Sequence, residues 1–256
     1  MLLIDFDREV FQPLARGRRY AEIGVYKGAY AMGVRNYSPA RMDLIDPWRI
    51  NLDDLVPSDY HADDSRTTLR DAMAGYYPVD VNEALDQAFR DVVKNFSGTP
   101  NCNVIRDTSK GAVSLFDAGA IDYLYIDANH RYDFVLADLE RWHTRVSSSG
   151  VIVLNDCYVS PVGKRQHVSV LEALSTFIKL YDWKAVAMVN RPWTDVIIAR
   201  SDAVRHVETS LLPVLLGNNV PFVNLPASLV HSARHVVVRS TVGSETVQRE
   251  MLSFGD

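Results

Sequence analysis

Five segments carry the residue types able to do chemistry: Glu22-x-Gly24-x-Tyr26-x-Gly28, Asp46, Asp107 with Ser109, Asp127-x-x-His130, and Asn155-Asp156. Each follows or closes a short apolar run. One aspartate in such a place usually caps a helix or closes a turn, since its carboxylate accepts backbone N–H groups readily. Five such ends in one chain are harder to explain that way. Carboxylates and an amide offer oxygen acceptors, and the His130 imidazole exchanges a proton near neutral pH. The glycines allow close approach of the backbone to a ligand. Their spacing differs from the G-x-G-x-x-G pattern that sets a pyrophosphate on a helix N-terminus, so a dinucleotide or nucleotide-sugar enzyme is disfavoured. Glu22 and Asp46 suit a ligand bearing hydroxyls and positive charge. His61, His143, His167, His206, His231 and His235 have no comparable setting and are read as surface or packing residues.

The elements that must position these residues follow from periodicity. Tyr20 to Val25, Arg41 to Asp46, Cys102 to Ile105, Ile121 to Ile126 and Val151 to Leu154 read as strands, the last a continuous apolar run as in a strand covered on both faces. Helical spacing covers the residues after Lys27, then Val81 to Phe96, Lys110 to Ala118, Phe134 to Trp142 and Val168 to Tyr181. Two late strands, Trp183 to Val189 and Thr194 to Ala199, flank the turn Asn190-Arg191-Pro192. This βα alternation predicts an α/β, doubly wound parallel sheet with helices on both faces, in which ligands gather beyond the carboxyl ends of the strands. Residues 1–200 are expected to form that domain, with 50–80 as an acidic insertion or lid. Residues 201–256 read as a C-terminal extension that builds a dimer or covers the sheet edge, with His235 to Arg239 as one further strand.

Composition narrows the function classes. With 256 residues, 47% of them hydrophobic, the chain can bury a real core, and a net charge of −5 without a basic block argues against a nucleic-acid carrier. Cys102 and Cys157 are too few for a disulfide framework and are expected to be free, as in a reducing compartment. The charges at Asp5 and Asp7 interrupt any signal-like apolar start, and Pro213, Asn218, Asn219, Pro221, Asn224 and Pro226 interrupt the stretch from Leu211 to Val230. A cytoplasmic protein without a membrane span is expected.

The ordered set from Glu22 to Asp156 resembles class I S-adenosylmethionine (SAM)-dependent methyltransferases over about residues 19–200. Leu44-Ile45-Asp46-Pro47-Trp48, Tyr125 to Asp133, Ala137-Asp138-Leu139 and Gly150-Val151-Ile152 resemble the small-molecule O-methyltransferase branch that includes macrolide-sugar and antibiotic-tailoring enzymes. The resemblance implies a seven-stranded Rossmann-like sheet and methyl transfer to a hydroxyl of a sugar, phenol or natural product. It implies that Glu22, Gly24, Tyr26 and Gly28 lie against the methionine portion with Asp127 nearby, that Asp46 holds the ribose hydroxyls, and that Asp107 and Ser109 border the adenine. Ser109 read by itself is equally a helix N-cap. In that branch a divalent cation, here Mg²⁺, would sit on Asp127, Asn155 and Asp156, with His130 as general base. Asn155 stands where a second carboxylate is commoner. Trp48, Tyr76, Tyr77 and Tyr158 are candidate acceptor walls, and Gly163 to Gln166 a candidate acceptor loop. The competing reading is a catalytically silent SAM-binding or interaction module.

Overall fold

A computed structural model describes residues 1–50, 81–158, 169–191, 193–242 and 245–254. The acidic segment from residue 51 to 80, with Tyr76 and Tyr77, and the loop residues Gly163 to Gln166 lie outside these. Eleven strands are described: β1 (Leu2–Ile4), β2 (Arg19–Ile23), β3 (Arg41–Ile45), β4 (Cys102–Ile105), β5 (Ile121–Ile126), β6 (Val146–Leu154), β7 (Trp183–Val189), β8 (Val196–Arg200), β9 (Phe222–Asn224), β10 (Arg234–Val242) and β11 (Glu245–Ser253). Nine of them form one sheet in the order β4-β3-β2-β5-β6-β8-β7-β1-β9. The predicted doubly wound α/β fold is present, with β2 to β8 as its seven expected strands.

The helices are α1 (Ala29–Arg35), α2 (Val81–Phe96), α3 (Ser109–Ala112), α4 (Tyr132–Trp142), α5 (Val170–Leu180) and α6 (Val204–Gly217), with a 3-10 segment over Arg8–Ala15. One face of the sheet packs Tyr20, Tyr123, Tyr125 and Val153 against Phe11, Tyr30, Val92, Phe96 and Leu211. The other packs Ile23, Leu124, Ile126 and Ile152 against Val135, Leu139, Trp142, Leu174 and Phe177. Period-2 alternation from Tyr123 to Ile126 divides the side chains of β5 between the two cores, which is why this part of the strand reads as continuously apolar.

Three departures from the sequence reading concern the edges. β1 and β9 extend the sheet beyond seven strands, β1 parallel to β7 and β9 antiparallel to β1. Three-residue strands leave no periodic signal; these two are held by pairing and by Leu2, Ile4 and Phe222, which pack in the core beside β7. Residues 201–224 therefore complete the sheet rather than append to it, since α6 buries Val207, Leu211 and Leu215 in the same core as β7 and β8. Only β10 and β11 form a separate hairpin. Lys110 to Ala118 forms a short α-turn and a 3-10 turn instead of a continuous helix. Cys102 on β4 and Cys157 just beyond β6 are both free, and β3, β2 and β5 lie between those strands. Among the described residues, no helix is long and apolar enough to cross a membrane.

At the end of the sheet opposite the glycine turn, the Arg19 guanidinium grips Asp122 through Nε at 2.8 Å and its second arm at 2.7 Å, and Ser147 adds a bond of 2.8 Å. The Arg19 hydrogen bond holds the Asp122 carboxyl down at about 2. A depressed native value stabilises the fold above the ordinary carboxylate range, and the contribution is lost as pH falls through about 2. The pair is partly solvated and worth about 1 kcal/mol. Asp122→Asn should therefore lower the melting temperature by about 2–4 °C at pH 7, and the gap from wild type should close toward pH 2. Thermal melts across that range check it. A gap that stays constant with pH would disconnect the pair from acid stability.

Candidate active site

The parallel register aligns the strand ends. Ile23 pairs with Ile45 and with Ile126, Ile45 with Ile105, and Ile126 with Leu154. The first residue beyond each strand therefore falls on one line across the sheet: Asp46, Gly24, Asp127 and Asn155. Backbone bonds continue the ladder past the strands, from Gly24 N to Ile45 O, Asp46 N to Ile105 O, Asp127 N to Ile23 O and Asn155 N to Ile126 O. Gly24, Tyr26, Asp46, Asp127 and His130 are all partly exposed along it. Four segments scattered through the sequence thus meet at one end of the sheet.

The glycine turn is wedged between neighbours. Gly24 has φ +88°, and a Cβ there would overlap the Asp127 carbonyl and come within 2.7 Å of the Ala128 nitrogen. Tyr26 also has positive φ, 50°, and its N–H donates to Asp46 Oδ2 at 2.9 Å, while the other Asp46 oxygen accepts from Trp48 N at 2.6 Å. Burial raises the Asp46 carboxyl above its usual range against these backbone bonds. Asp46 therefore ties the turn to the end of β3 before any ligand arrives. Glu22 sits under the turn instead of on its rim: it is 2% exposed, accepts the Tyr20 hydroxyl, and is pushed by burial up to about 8.

Beyond β5 and β6, His130 lies between two carboxylates. Its Nε2 is 3.2 Å from Asp127 Oδ1 and its Nδ1 is 3.3 Å from Asp156 Oδ2. Burial opposes charge on the ring, but the Asp127 bond and the charges of Asp156 and Asp127 outweigh it and raise the imidazole above its usual range. Asp156 has φ +58° and is raised by burial to about 6. Its left-handed backbone is sparsely populated for residues other than glycine. The amide beyond it is fixed by a bond from Cys157 N to Thr194 O at 2.7 Å, so the turn before β8 sets the direction of Asp156.

Three residues at this site escaped the sequence reading. Asp195, fully buried just before β8, accepts Asn155 Nδ2 at 2.8 Å and Tyr125 Oη at 2.9 Å, and burial raises it to about 8. Arg8, on the N-terminal 3-10 segment, donates to Tyr125 Oη at 3.1 Å and stands 3.6 Å from Asp127 Oδ2. The available signal for Asp195 was a carboxylate leading directly into the apolar run Val196 to Ala199. Arg8 gave none, because it precedes the first recognised strand. Tyr125 was read as part of the strand Ile121 to Ile126 and of the segment that carries the resemblance, with no role at the site.

Other candidates are placed elsewhere. Asp107 is exposed beyond β4, where it accepts Thr108 N at 2.7 Å. The Ser109 hydroxyl instead donates to Asp138 and accepts Trp142 Nε1 at 2.8 Å, so it is spent on the contact with α4. The helix N-cap is Thr108, whose Oγ1 accepts Gly111 N at 3.1 Å. Trp48 and Tyr158 are buried; the Trp48 indole donates to Tyr26 O at 2.7 Å and its ring packs on Phe89, which makes it core rather than an acceptor wall.

The expected cation set does not fit as a metal cradle. Asp127 and Asp156 are joined through the His130 ring, and the Asn155 side chain is held by Asp195. Among the described residues, no group of three or more His, Cys, Asp or Glu side chains is placed to hold a metal ion.

Residues 21–157, more than half of the chain, match a family model described as a methyltransferase domain. No curated protein shows significant similarity to the chain. Among solved structures, the chain is similar to a Staphylococcus aureus protein described as a caffeoyl-CoA O-methyltransferase, at TM-score 0.52 and 14% identity, covering 76% of this chain and 84% of that one. It is also similar to a Klebsiella pneumoniae protein described as an O-methyltransferase, at TM-score 0.49 and 13% identity over 77% and 81%. A third is Aeropyrum pernix fibrillarin in complex with natively bound SAM, at TM-score 0.43 and 13% identity over 73% and 68%. At these identities the likeness concerns the fold.

Proposed function

Because the chain belongs to the methyltransferase domain family, we propose that it transfers a methyl group from SAM to a hydroxyl of a small metabolite such as a sugar, phenol or natural product. The observation that carries this reading is the coincidence of the family match with the site: residues 21–157 span every cleft residue from Glu22 to Asp156. When bound, SAM supplies an electrophilic methyl group. Gly24 and Tyr26 form the turn against which the methionine portion lies, with Glu22 beneath it, Asp127 beside it and Gly28 opening α1. Asp46 takes the ribose hydroxyls and Asp107 borders the adenine.

His130 takes the acceptor proton. With a neutral ring, Nε2–H donates to Asp127 and the Nδ1 lone pair is the site that takes the acceptor proton. Nδ1 would accept the hydroxyl proton as the methyl group passes from the sulfonium of bound SAM to the acceptor oxygen, the S–C bond breaking to leave S-adenosylhomocysteine. The resulting imidazolium then faces a carboxylate at each nitrogen, Asp127 Oδ1 at 3.2 Å and Asp156 Oδ2 at 3.3 Å. The two carboxylates thus stabilise the state reached during transfer more than the state before it, as catalysis requires. The acidic chain and its free thiols suit a reducing, cytoplasmic setting.

Calorimetry tests the cofactor directly. S-adenosylhomocysteine (SAH) should bind and NAD should not compete, and Asp46→Ala should weaken SAH about tenfold or more, as expected for losing hydrogen bonds to a charged group. Comparable NAD binding would overturn the methyltransferase reading. Normal SAH binding by the variant would remove only the ribose assignment.

A further inference from the structure

The acidic strand ends need compensating charge. Asp127 and Asp156 converge from β5 and β6 on the His130 ring, with Glu22 and Asp195 buried behind them, and carboxylates brought together this way repel unless something offsets them. The sequence alone suggested a divalent ion. The structure shows an internal cation already in place. The Arg8 guanidinium lies 3.6 Å from Asp127 Oδ2 and bonds Tyr125 Oη at 3.1 Å; that hydroxyl in turn donates to Asp195, which holds Asn155 at 2.8 Å. Two of the three expected metal ligands are therefore reached from Arg8, Asp127 directly and Asn155 through three hydrogen bonds by way of Tyr125 and Asp195. The third, Asp156, is engaged by His130.

Arg8 is itself held in position. It lies 5.6 Å above the Tyr30 ring, and Tyr30 stacks on Tyr125 at 3.9 Å. An arginine cannot give up its charge at working pH, so the compensation is permanent. Asn155 also finds a physical reason here. A carboxylate at that position would face buried Asp195 at hydrogen-bond distance, whereas an amide offers Asp195 a donor. The second acidic group common after this strand is in effect supplied by Asp195, turned away from the cleft and bonded to Tyr125 and Asn155.

We propose that Arg8 is the resident counter-cation of this cluster and takes the place of a divalent metal, so that the chain works on its acceptor without Mg²⁺. The catalytic half of this inference rests on the methyl-transfer reading; the charge-balancing half does not.

The probe is Mn²⁺, followed by the electron paramagnetic resonance of the free ion and titrated into wild type, Arg8→Gln, Arg8→Lys and the double variant Arg8→Gln/Asp127→Asn. Circular dichroism and melts confirm that each is folded. Wild type and Arg8→Lys should bind no stoichiometric Mn²⁺. Arg8→Gln should gain affinity by about tenfold or more, and the added Asp127→Asn should abolish the gain. Stoichiometric Mn²⁺ binding by wild type would overturn the proposal. So would an Arg8→Gln protein that is folded and binds no better than wild type. If Arg8→Gln does not fold, Arg8→Lys decides: a folded lysine variant that binds Mn²⁺ overturns the proposal, and one that does not supports charge as the essential property. SAH calorimetry on wild type keeps the two readings apart, since loss of SAH binding sinks methyl transfer and leaves the Mn²⁺ result standing. Where SAH binds, turnover that survives chelator treatment supports the metal-free site, and turnover restored only by added Mg²⁺ overturns it.

Discussion

Gly24→Ala is expected to weaken SAH binding by about 100-fold or more and to lower stability by about 3 kcal/mol or more. The cause is local. Its φ of +88° is strained for any residue with a Cβ, and the space such an atom would need is filled by the Asp127 carbonyl and the Ala128 amide nitrogen. Backbone cannot swing aside as a flexible side chain can, so either the turn or the end of β5 must move, and both border the proposed cofactor. Gly17→Ala is the control. Gly17 also has positive φ, +65°, but nothing lies within 4 Å of its absent Cβ, so alanine there should cost only about 1 kcal/mol and leave SAH binding alone. Calorimetry and melts on the two proteins separate left-handed strain from the steric clash. Equal losses at both positions would mean that the packing of the turn against β5 is unimportant for binding.

His130→Ala is expected to reduce kcat by about 100-fold or more while SAH affinity stays near wild type. The argument joins geometry to chemistry: each ring nitrogen faces a carboxylate oxygen, at 3.2 and 3.3 Å, so the imidazolium formed on proton transfer is stabilised from both sides. His130→Gln separates the roles, since it can still hydrogen-bond a carboxylate but cannot carry the proton. It should remain as slow as the alanine variant. SAH release measured over a panel of hydroxylated acceptors gives kcat and KM for each. A glutamine variant with wild-type kcat would make His130 a positioning residue, and an alanine variant with wild-type kcat would remove it from the reaction.

Much of this site could be read without coordinates because parallel sheets place chemistry at strand ends, and strand ends are marked by where an apolar run stops. Gly24, Asp46, Asp127 and Asn155 each follow such a stop, and the register carries all four to one line. Ser109 shows the limit of the same logic. It too follows a strand, but a hydroxyl at the start of a short helix four residues beyond the strand end can point either way, and buried Asp138 and Trp142 on α4 provided its partners. Trp48 shows another limit. An aromatic side chain beside a cleft and one beneath it have the same sequence pattern, and only packing on Phe89 and the bond to Tyr26 O assign it to the core.

The sequence by itself determined the α/β alternation, the strand-end residues, the poor match to a dinucleotide turn and the pairing of Asp127 with His130 three residues on. Those properties are local: each depends on neighbours a few residues away, through periodicity, turn chemistry or spacing. Only the tertiary structure decided the charge balance. Arg8 and Tyr125 are 117 positions apart, and Asn155 and Asp195 are 40 apart, yet they form one hydrogen-bonded chain because β5, β6 and β8 are adjacent in the sheet and the N-terminal segment packs over them. A carboxylate's need for a partner is visible in its residue type. Which cation or donor meets that need depends on which strands lie side by side, and no local pattern encodes that order.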